Sequence, residues 1–528
     1  MKRWLVGWLV VGLVGVVAGV GITVALIDRG DGGDAGPSDS SSGASPTGEG
    51  STSADPSVTE PPNPALATYY SQALDWSSCG DAECATLTVP LSYDDPTGAT
   101  IELALLKVPA SVPSQRIGSL VVNPGGPGAP GTSYAEGASG TFGRPLLDHF
   151  DIVGFDPRGT GDSNPVDCLS DDQLDAYLSE DPDPDTLAEV ASFMATVREF
   201  GRGCSQLSGE LAHNISTEDA ARDMDVLRAS LGETQLDYFG ASYGTKLGAT
   251  YADLFPDRVG RLVLDGALDL TLSSRDLALQ QAAGFQTALD AYLQDCIDST
   301  DSCFLGDTVA EGQATIQGLL ASIDADPLPA GGGRELTAGN AFYGIITPLY
   351  VRDYWYLLTN GLKSALDGDG TTLMLLADAY ASRNPSGSGF LDNTMEANVA
   401  INCLDDGWSI PAAKVPAQIP DFVAASPVFG RVFAWALVGC RGFGNPPAEP
   451  APAVLAQGAA PILVIGTTRD PATPLQWAQA LADQLVSGTL VTRDGDGHTG
   501  YYSGNQCVDD AVENYLVDGT VPRDGLAC

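Results

Sequence analysis

The sequence predicts an α/β fold, a mostly parallel sheet with helices on both faces and a helical cap inserted into it. Three observations predict it. Short, mainly apolar runs recur and stop at glycine- or proline-rich turns. Helical patterns alternate with these runs, as parallel strands need crossover connections. Between about Leu270 and Ala456 the alternation gives way to helical stretches alone, and afterwards it resumes.

Taken in order, Ile101–Val108 reads as a strand. Gly118–Val122 is an apolar run stopped by Asn123-Pro-Gly-Gly-Pro-Gly128, and Phe150–Phe155 is another, stopped by Asp156-Pro-Arg-Gly159. Leu236–Phe239 runs into Gly240-Ala-Ser-Tyr-Gly244, and a helical stretch follows to about Leu254. Val259–Leu264, Pro461–Ile465 and Thr489–Thr492 are further strands. Buried parallel strands read as such continuous apolar runs. In the intervening region Leu277–Cys296 and Tyr350–Leu366 have helical patterns. The expected boundaries are residues 65–269 for the first part of the core, 270–456 for the helical cap and 457–528 for the rest of the core.

The N-terminus has a different character. Lys2 and Arg3 precede an uncharged apolar run, Trp4–Ile27. As a helix at 1.5 Å per residue it would span about 36 Å, enough for a hydrocarbon core of about 30 Å. Residues 1–27 are therefore read as a membrane anchor with its basic end inside, or as a signal segment if it is cleaved. Residues 28–64 are rich in Gly, Ser, Pro, Asp and Thr, with too little apolar surface to offset chain entropy. Such a flexible linker has an average reach of roughly 35 Å.

Of the 528 residues, 68 are Asp or Glu and 25 are Lys or Arg, a formal net charge of −43. A surface of that sign repels phosphate backbones, so nucleic acid is excluded as a partner, while a cationic peptide terminus is attracted. The ten cysteines are even in number and lack CxxC spacing. Behind an export signal they are read as disulfides. Sequence neighbours suggest Cys79–Cys84, Cys168–Cys204, Cys296–Cys303, Cys403–Cys440 and Cys507–Cys528, although spacing alone leaves the connectivity open.

The chemistry centres on Gly240-Ala-Ser242-Tyr-Gly244, which fits G-x-S-x-G between a strand and a helix. That turn exposes the serine hydroxyl and aims the next backbone N–H at a developing oxyanion, as in the α/β-hydrolase fold. Ser242 is the candidate nucleophile, and a hydroxyl at neutral pH needs a general base. Of three histidines, His149 and His213 flank predicted elements and read as structural. His498 sits in the glycine-rich loop Asp494-Gly-Asp-Gly-His498, where a catalytic imidazole belongs. The orienting acid should lie between them in sequence at a strand end. Asp470 is the choice and Asp265 its rival, with Asp494 and Asp496 read as turn formers. For the oxyanion, Tyr243 N–H is one expected donor. Gly126 N–H is the second, with Gly125 as its alternative, because the bare glycine loop lets a carbonyl approach the backbone. No metal or dinucleotide motif is present, so neither metal nor cofactor is expected.

These segments, together with Phe155-Asp-Pro-Arg-Gly-Thr-Gly-Asp-Ser163 and Ala400-Ile-Asn-Cys-Leu-Asp405, resemble the secreted bacterial tripeptidyl aminopeptidases, relatives of the proline iminopeptidases. The resemblance covers about residues 65–528, and the part from roughly Asn402 onward is similar to the family's C-terminal region. It implies a serine peptidase of α/β-hydrolase fold that releases short peptides from free N-termini through an acyl-enzyme. It also implies carboxylates near the cap that hold the substrate's α-ammonium, for which Glu396, Asp405 and Asp406 lie in the matching segment. Two alternatives stand beside it, a carboxylesterase or lipase of the same fold and a catalytically silent surface-binding protein.

Overall fold

The computed structural model describes residues 59–300, 302–445 and 453–528. The apolar run Trp4–Ile27 and the linker up to residue 58 lie outside the described residues. Among the described residues no helix is long and apolar enough to cross a membrane. Ordered contacts begin before the expected end of the linker, since Arg258 Nη2 donates to Glu60 O at 2.8 Å.

Ten strands make one sheet: β1 (Ser77–Cys79), β2 (Ala82–Pro90), β3 (Thr100–Val108), β4 (Gly118–Asn123), β5 (Phe150–Phe155), β6 (Leu236–Ala241), β7 (Val259–Asp265), β8 (Ile462–Arg469), β9 (Gly488–Asp496) and β10 (Leu526–Ala527). Their spatial order is β1-β2-β3-β5-β4-β6-β7-β8-β9-β10. The first three strands and the β3–β5 pair are antiparallel, and every pair from β5 to β10 is parallel.

Alternation of side chains explains the apolar runs. Val121, Tyr238, Leu264 and Val464 pack into the core on one face of the sheet. Their neighbours Val122, Phe239, Val263 and Leu463 pack into a second core on the other face. Both faces are covered, so no position in these strands is fully exposed and most are buried.

The central strands end almost level. Asn123 pairs with Gly240, Ala241 with Asp265, and Asp265 with Ile465. The residues that follow these ends therefore meet at one edge of the sheet, where ligands bind in open parallel sheets.

Three helices bear on that edge: α1 (Thr217–Ser230), α2 (Tyr243–Leu254) and, from the helical insertion, α3 (Thr394–Asp405). The insertion has a core of its own, with Phe285, Ile316, Leu349, Trp355, Leu358 and Phe429 buried together. Met194 and Val197, from the helix Leu187–Leu207 that precedes the insertion in sequence, join that core.

The structure departs from the sequence reading at the margins. Strands β1, β2 and β10 were not expected, so three strands rather than two follow the insertion. The helix expected from Tyr350 starts at Trp355, because 3-10 turns occupy Thr347–Tyr350 and Arg352–Tyr354.

The five suggested disulfides are the five that form. They belong to an oxidising, extracytoplasmic compartment. The motif arginine, Arg158, proves to be structural. Fully buried, it forks onto Asp223 with two bonds of 2.7 Å and donates to the carbonyls of Pro90, Leu91 and Asn214.

Candidate active site

Ser242 stands between β6 and α2 with φ 56° and ψ −124°. A positive φ is costly for a residue with a side chain, about 1–3 kcal/mol, and is kept where the surroundings enforce it. Here Ser242 N–H donates to Asp265 O at 2.8 Å. Gly240 allows the turn to close, since a Cβ on it would lie 2.4 Å from Gly244 O. Ser242 is half-buried at the level edge of the sheet.

Asp470 follows β8 directly, just after the β8–β9 pairing shifts register between Thr467 and Arg469. It is 2% exposed. Oδ1 accepts from Ala472 N and Thr473 N, both at 2.9 Å. Oδ2 accepts from Thr473 Oγ1 and Thr499 N, both at 3.1 Å. Each carboxylate oxygen also lies 2.9 Å from His498 Nδ1. The carboxylate must be the acceptor, so Nδ1 carries the proton and Nε2 presents its lone pair.

His498 is pinned at three points. Its backbone N–H donates to Tyr350 O at 2.7 Å, its ring meets the Tyr350 ring edge-on at 5.5 Å, and Asp470 holds Nδ1. Nε2 is buried and has no hydrogen-bond partner among the described residues. Ser242 Oγ is thus not hydrogen-bonded to it. The imidazole pKa lies above its ordinary value. Burial alone would lower it, but the charge and hydrogen bond of Asp470, with the charge of Asp265, outweigh burial.

The rival acid, Asp265, has no bond to His498. Asp494 and Asp496, expected as turn formers, end β9 and pair with Arg469 at 3.0 and 2.5 Å. His498 lies just after β9, and β10 adds a further edge strand beyond it.

The glycine loop after β4 lies against the serine turn. A Cβ on Gly125 would sit 2.9 Å from Ser242 Cβ and 3.0 Å from Tyr243 N. The amide of Gly125 is already committed, donating to Asn123 Oδ1 at 2.9 Å. This corrects its place as an alternative oxyanion donor. The N–H groups of Gly126 and Tyr243 have no acceptor among the described residues. Gly125→Ala is expected to lower kcat by about 10²- to 10³-fold, as loss of one oxyanion donor does. The new methyl must push the loop off Ala241 O, 2.5 Å away, at a φ of 98°. Steady-state kinetics on a chromogenic ester or anilide check this.

Helix α3 holds the loop from its other side. Thr394 Oγ1 donates to Gly128 O at 3.1 Å and Asn398 Nδ2 to Pro127 O at 3.1 Å. Asn393, just before α3, donates to Gly159 O and Val166 O and accepts from Gly161 N. Sequence reading missed these asparagines, because polar residues on a helical stretch carry no mark of which loop they will meet.

The three carboxylates expected to bind an α-ammonium each meet donors from a different part of the chain. Glu396 is buried, and its Oε1 accepts from Cys168 N at 2.6 Å and Leu169 N at 2.9 Å. Burial raises its pKa, and the two N–H donors oppose that rise. Asp405 accepts from Thr217 N at 2.9 Å, Thr217 Oγ1 at 2.5 Å and Lys246 Nζ at 2.6 Å. Through Thr217 it connects to the Tyr243 hydroxyl at 2.6 Å. Asp406 accepts from Trp408 N at 3.0 Å and from the Ser274 hydroxyl.

Strand order, serine turn and buried Asp–His pair define a serine hydrolase of the α/β-hydrolase fold. Residues 426–528 match the family model described as TAP-like protein. Serine protease Hip1 of Mycobacterium tuberculosis is 37% identical over 484 residues, covering 87% of this chain and 91% of the relative. Carboxylesterase B of the same organism is 37% identical over 479 residues, covering 86% and 89%. A tripeptidyl aminopeptidase of Streptomyces lividans is 31% identical over 467 residues, covering 86% and 85%. The chain belongs to this TAP-like family of serine hydrolases.

Proposed function

We propose that Ser242, His498 and Asp470 act as nucleophile, general base and orienting acid of an exported peptidase that releases short peptides, tripeptides foremost, from free N-termini. The supporting observation is the histidine. Asp470 fixes one ring nitrogen, and the other is buried with no hydrogen-bond partner among the described residues. In this reading Ser242 Oγ attacks the scissile carbonyl as Nε2 takes its proton. The N–H groups of Gly126 and Tyr243 receive the oxyanion. The imidazolium, stabilised by Asp470, then protonates the leaving amine, and water resolves the acyl-enzyme by the same route. The family's peptidases support the substrate class, and the acidic surface favours a cationic peptide terminus. The apolar run Trp4–Ile27 is proposed as an anchor that holds the catalytic part outside the cell.

The acid limb of the pH profile follows from the imidazole. Only neutral His498 can accept the serine proton, and its pKa lies above 6.5. Activity is therefore expected to fall as pH drops through an inflection above 6.5, read from kcat/KM, which reports the free enzyme.

A second reading, a carboxylesterase, is favoured by the relative of that name. Kinetics on free and N-acetylated tripeptide anilides and on simple esters separate the two. The peptidase reading expects free peptides to be preferred by at least about tenfold, or 1.4 kcal/mol. Indifference to the amine, with esters cleaved fastest, would overturn it.

A further inference from the structure

We propose that Asp265 is a positioning residue for the triad, one that sets the distance between the serine turn and the histidine loop by holding both. The inference rests on the triad reading above. Asp265 ends β7, an interior strand of the sheet, paired with Ala241 on one side and Ile465 on the other. Its carbonyl accepts Ser242 N–H at 2.8 Å. Its carboxylate accepts Gly500 N at 2.7 Å and Tyr501 N at 2.8 Å. Thr499 N goes to Asp470. The two acids thus secure four consecutive residues, from the ring of His498 to the amide of Tyr501.

The next residue completes the spacer. Gly266 N–H donates to Ile465 O at 3.1 Å. A Cβ on Gly266 would lie 3.1 Å from His498 Cε1 and 3.1 Å from Thr473 Oγ1. The imidazole therefore rests directly on the backbone that follows Asp265. A carboxylate this deeply buried costs stability unless its bonds repay it. Here those bonds end on the histidine loop while the carbonyl of the same residue holds the serine turn, the two segments that must stay in register for proton transfer. Asp265 makes no bond to the imidazole, so it acts through backbone and charge rather than as the orienting acid. The charged groups around it are His498, Asp470 and Arg493, with the phenol of Tyr134 alongside.

Asp265→Asn keeps the side-chain shape but turns one acceptor into a donor facing a backbone N–H. The expected result, in the full chain with an unchanged circular-dichroism spectrum, is a kcat about 100-fold lower, the cost of a misplacement of about 1 Å. KM should stay within about threefold, because binding contacts are untouched. Labelling by a fluorophosphonate should slow in parallel. The acid limb of kcat/KM should move to lower pH, since a negative charge that favours imidazolium is gone. Asp265→Glu, which keeps the charge and both acceptors but lengthens the side chain and so shifts the loop it holds, should reproduce the loss of kcat and decides the matter if Asp265→Asn does not fold. Either folded variant reacting with the fluorophosphonate at the parent rate overturns the inference. A parent enzyme that is not labelled at all overturns the triad reading instead.

Discussion

Ser242→Ala is expected to lose about 10⁴- to 10⁶-fold in kcat while remaining folded. The fold should survive for a local reason. Alanine keeps the Cβ that already sits at φ 56°, so the strain of the turn is unchanged, and the backbone bond to Asp265 O does not involve the hydroxyl. The serine side chain makes no hydrogen bond that its removal would break. What disappears is the nucleophile alone. KM should remain near that of the parent, residual turnover should reflect only the oxyanion donors and substrate positioning, and fluorophosphonate labelling should vanish. Parent-like turnover in a folded Ser242→Ala protein would falsify the assignment.

Asp470→Asn should cost about 10⁴-fold in kcat, for a different reason. The carboxylate accepts five donors: Ala472 N, Thr473 N, Thr473 Oγ1, Thr499 N and His498 Nδ1. An amide in its place turns one of the two acceptors into a donor. It must then either face a backbone N–H with its own N–H or push the imidazole into the tautomer that carries its proton on Nε2. The second outcome leaves Ser242 without a base. Loss of the negative charge also removes the larger of the two electrostatic supports of the imidazolium, so the acid limb of kcat/KM should move to lower pH. A variant with normal kcat and an unmoved acid limb would show that Asp470 does not orient the histidine.

Much of this arrangement could be read in the chain itself, and the reasons are physical. Central parallel strands are buried on both faces, so β4 to β8 appear as mainly apolar runs that end in turns. The residues after those runs, Ser242 and Asp470 among them, are therefore predictable neighbours although they lie far apart in sequence. His498 was distinguishable because its two competitors sit at element ends, where His149 bonds Pro145 O and His213 faces solvent.

The less legible features share a cause, which is that residue type does not reveal a partner. Gly125 and Gly126 look alike in the sequence, yet Asn123 engages only the first. Glu396, Asp405 and Asp406 carry the charge an ammonium would seek, but each meets donors brought by distant segments: the Cys168 loop, the start of α1, and Ser274. Asp265 could be seen as an acid at a strand end, but not as one whose carboxylate would meet backbone amides instead of an imidazole. Strand β2 pairs antiparallel near the sheet margin, where its alternating pattern, with Leu87 and Val89 buried, is short and easily missed.

The reach of α3 across to the glycine loop bears on how such enzymes can be re-engineered. Thr394 and Asn398 belong to the inserted helices, yet they grip the carbonyls of Gly128 and Pro127 in the catalytic body. The insertion is therefore no detachable lid. A chimera that borrowed its helices from another hydrolase to change substrate range would discard the brace of the glycine loop. Specificity in this architecture is better altered by point changes on the existing helices than by wholesale exchange.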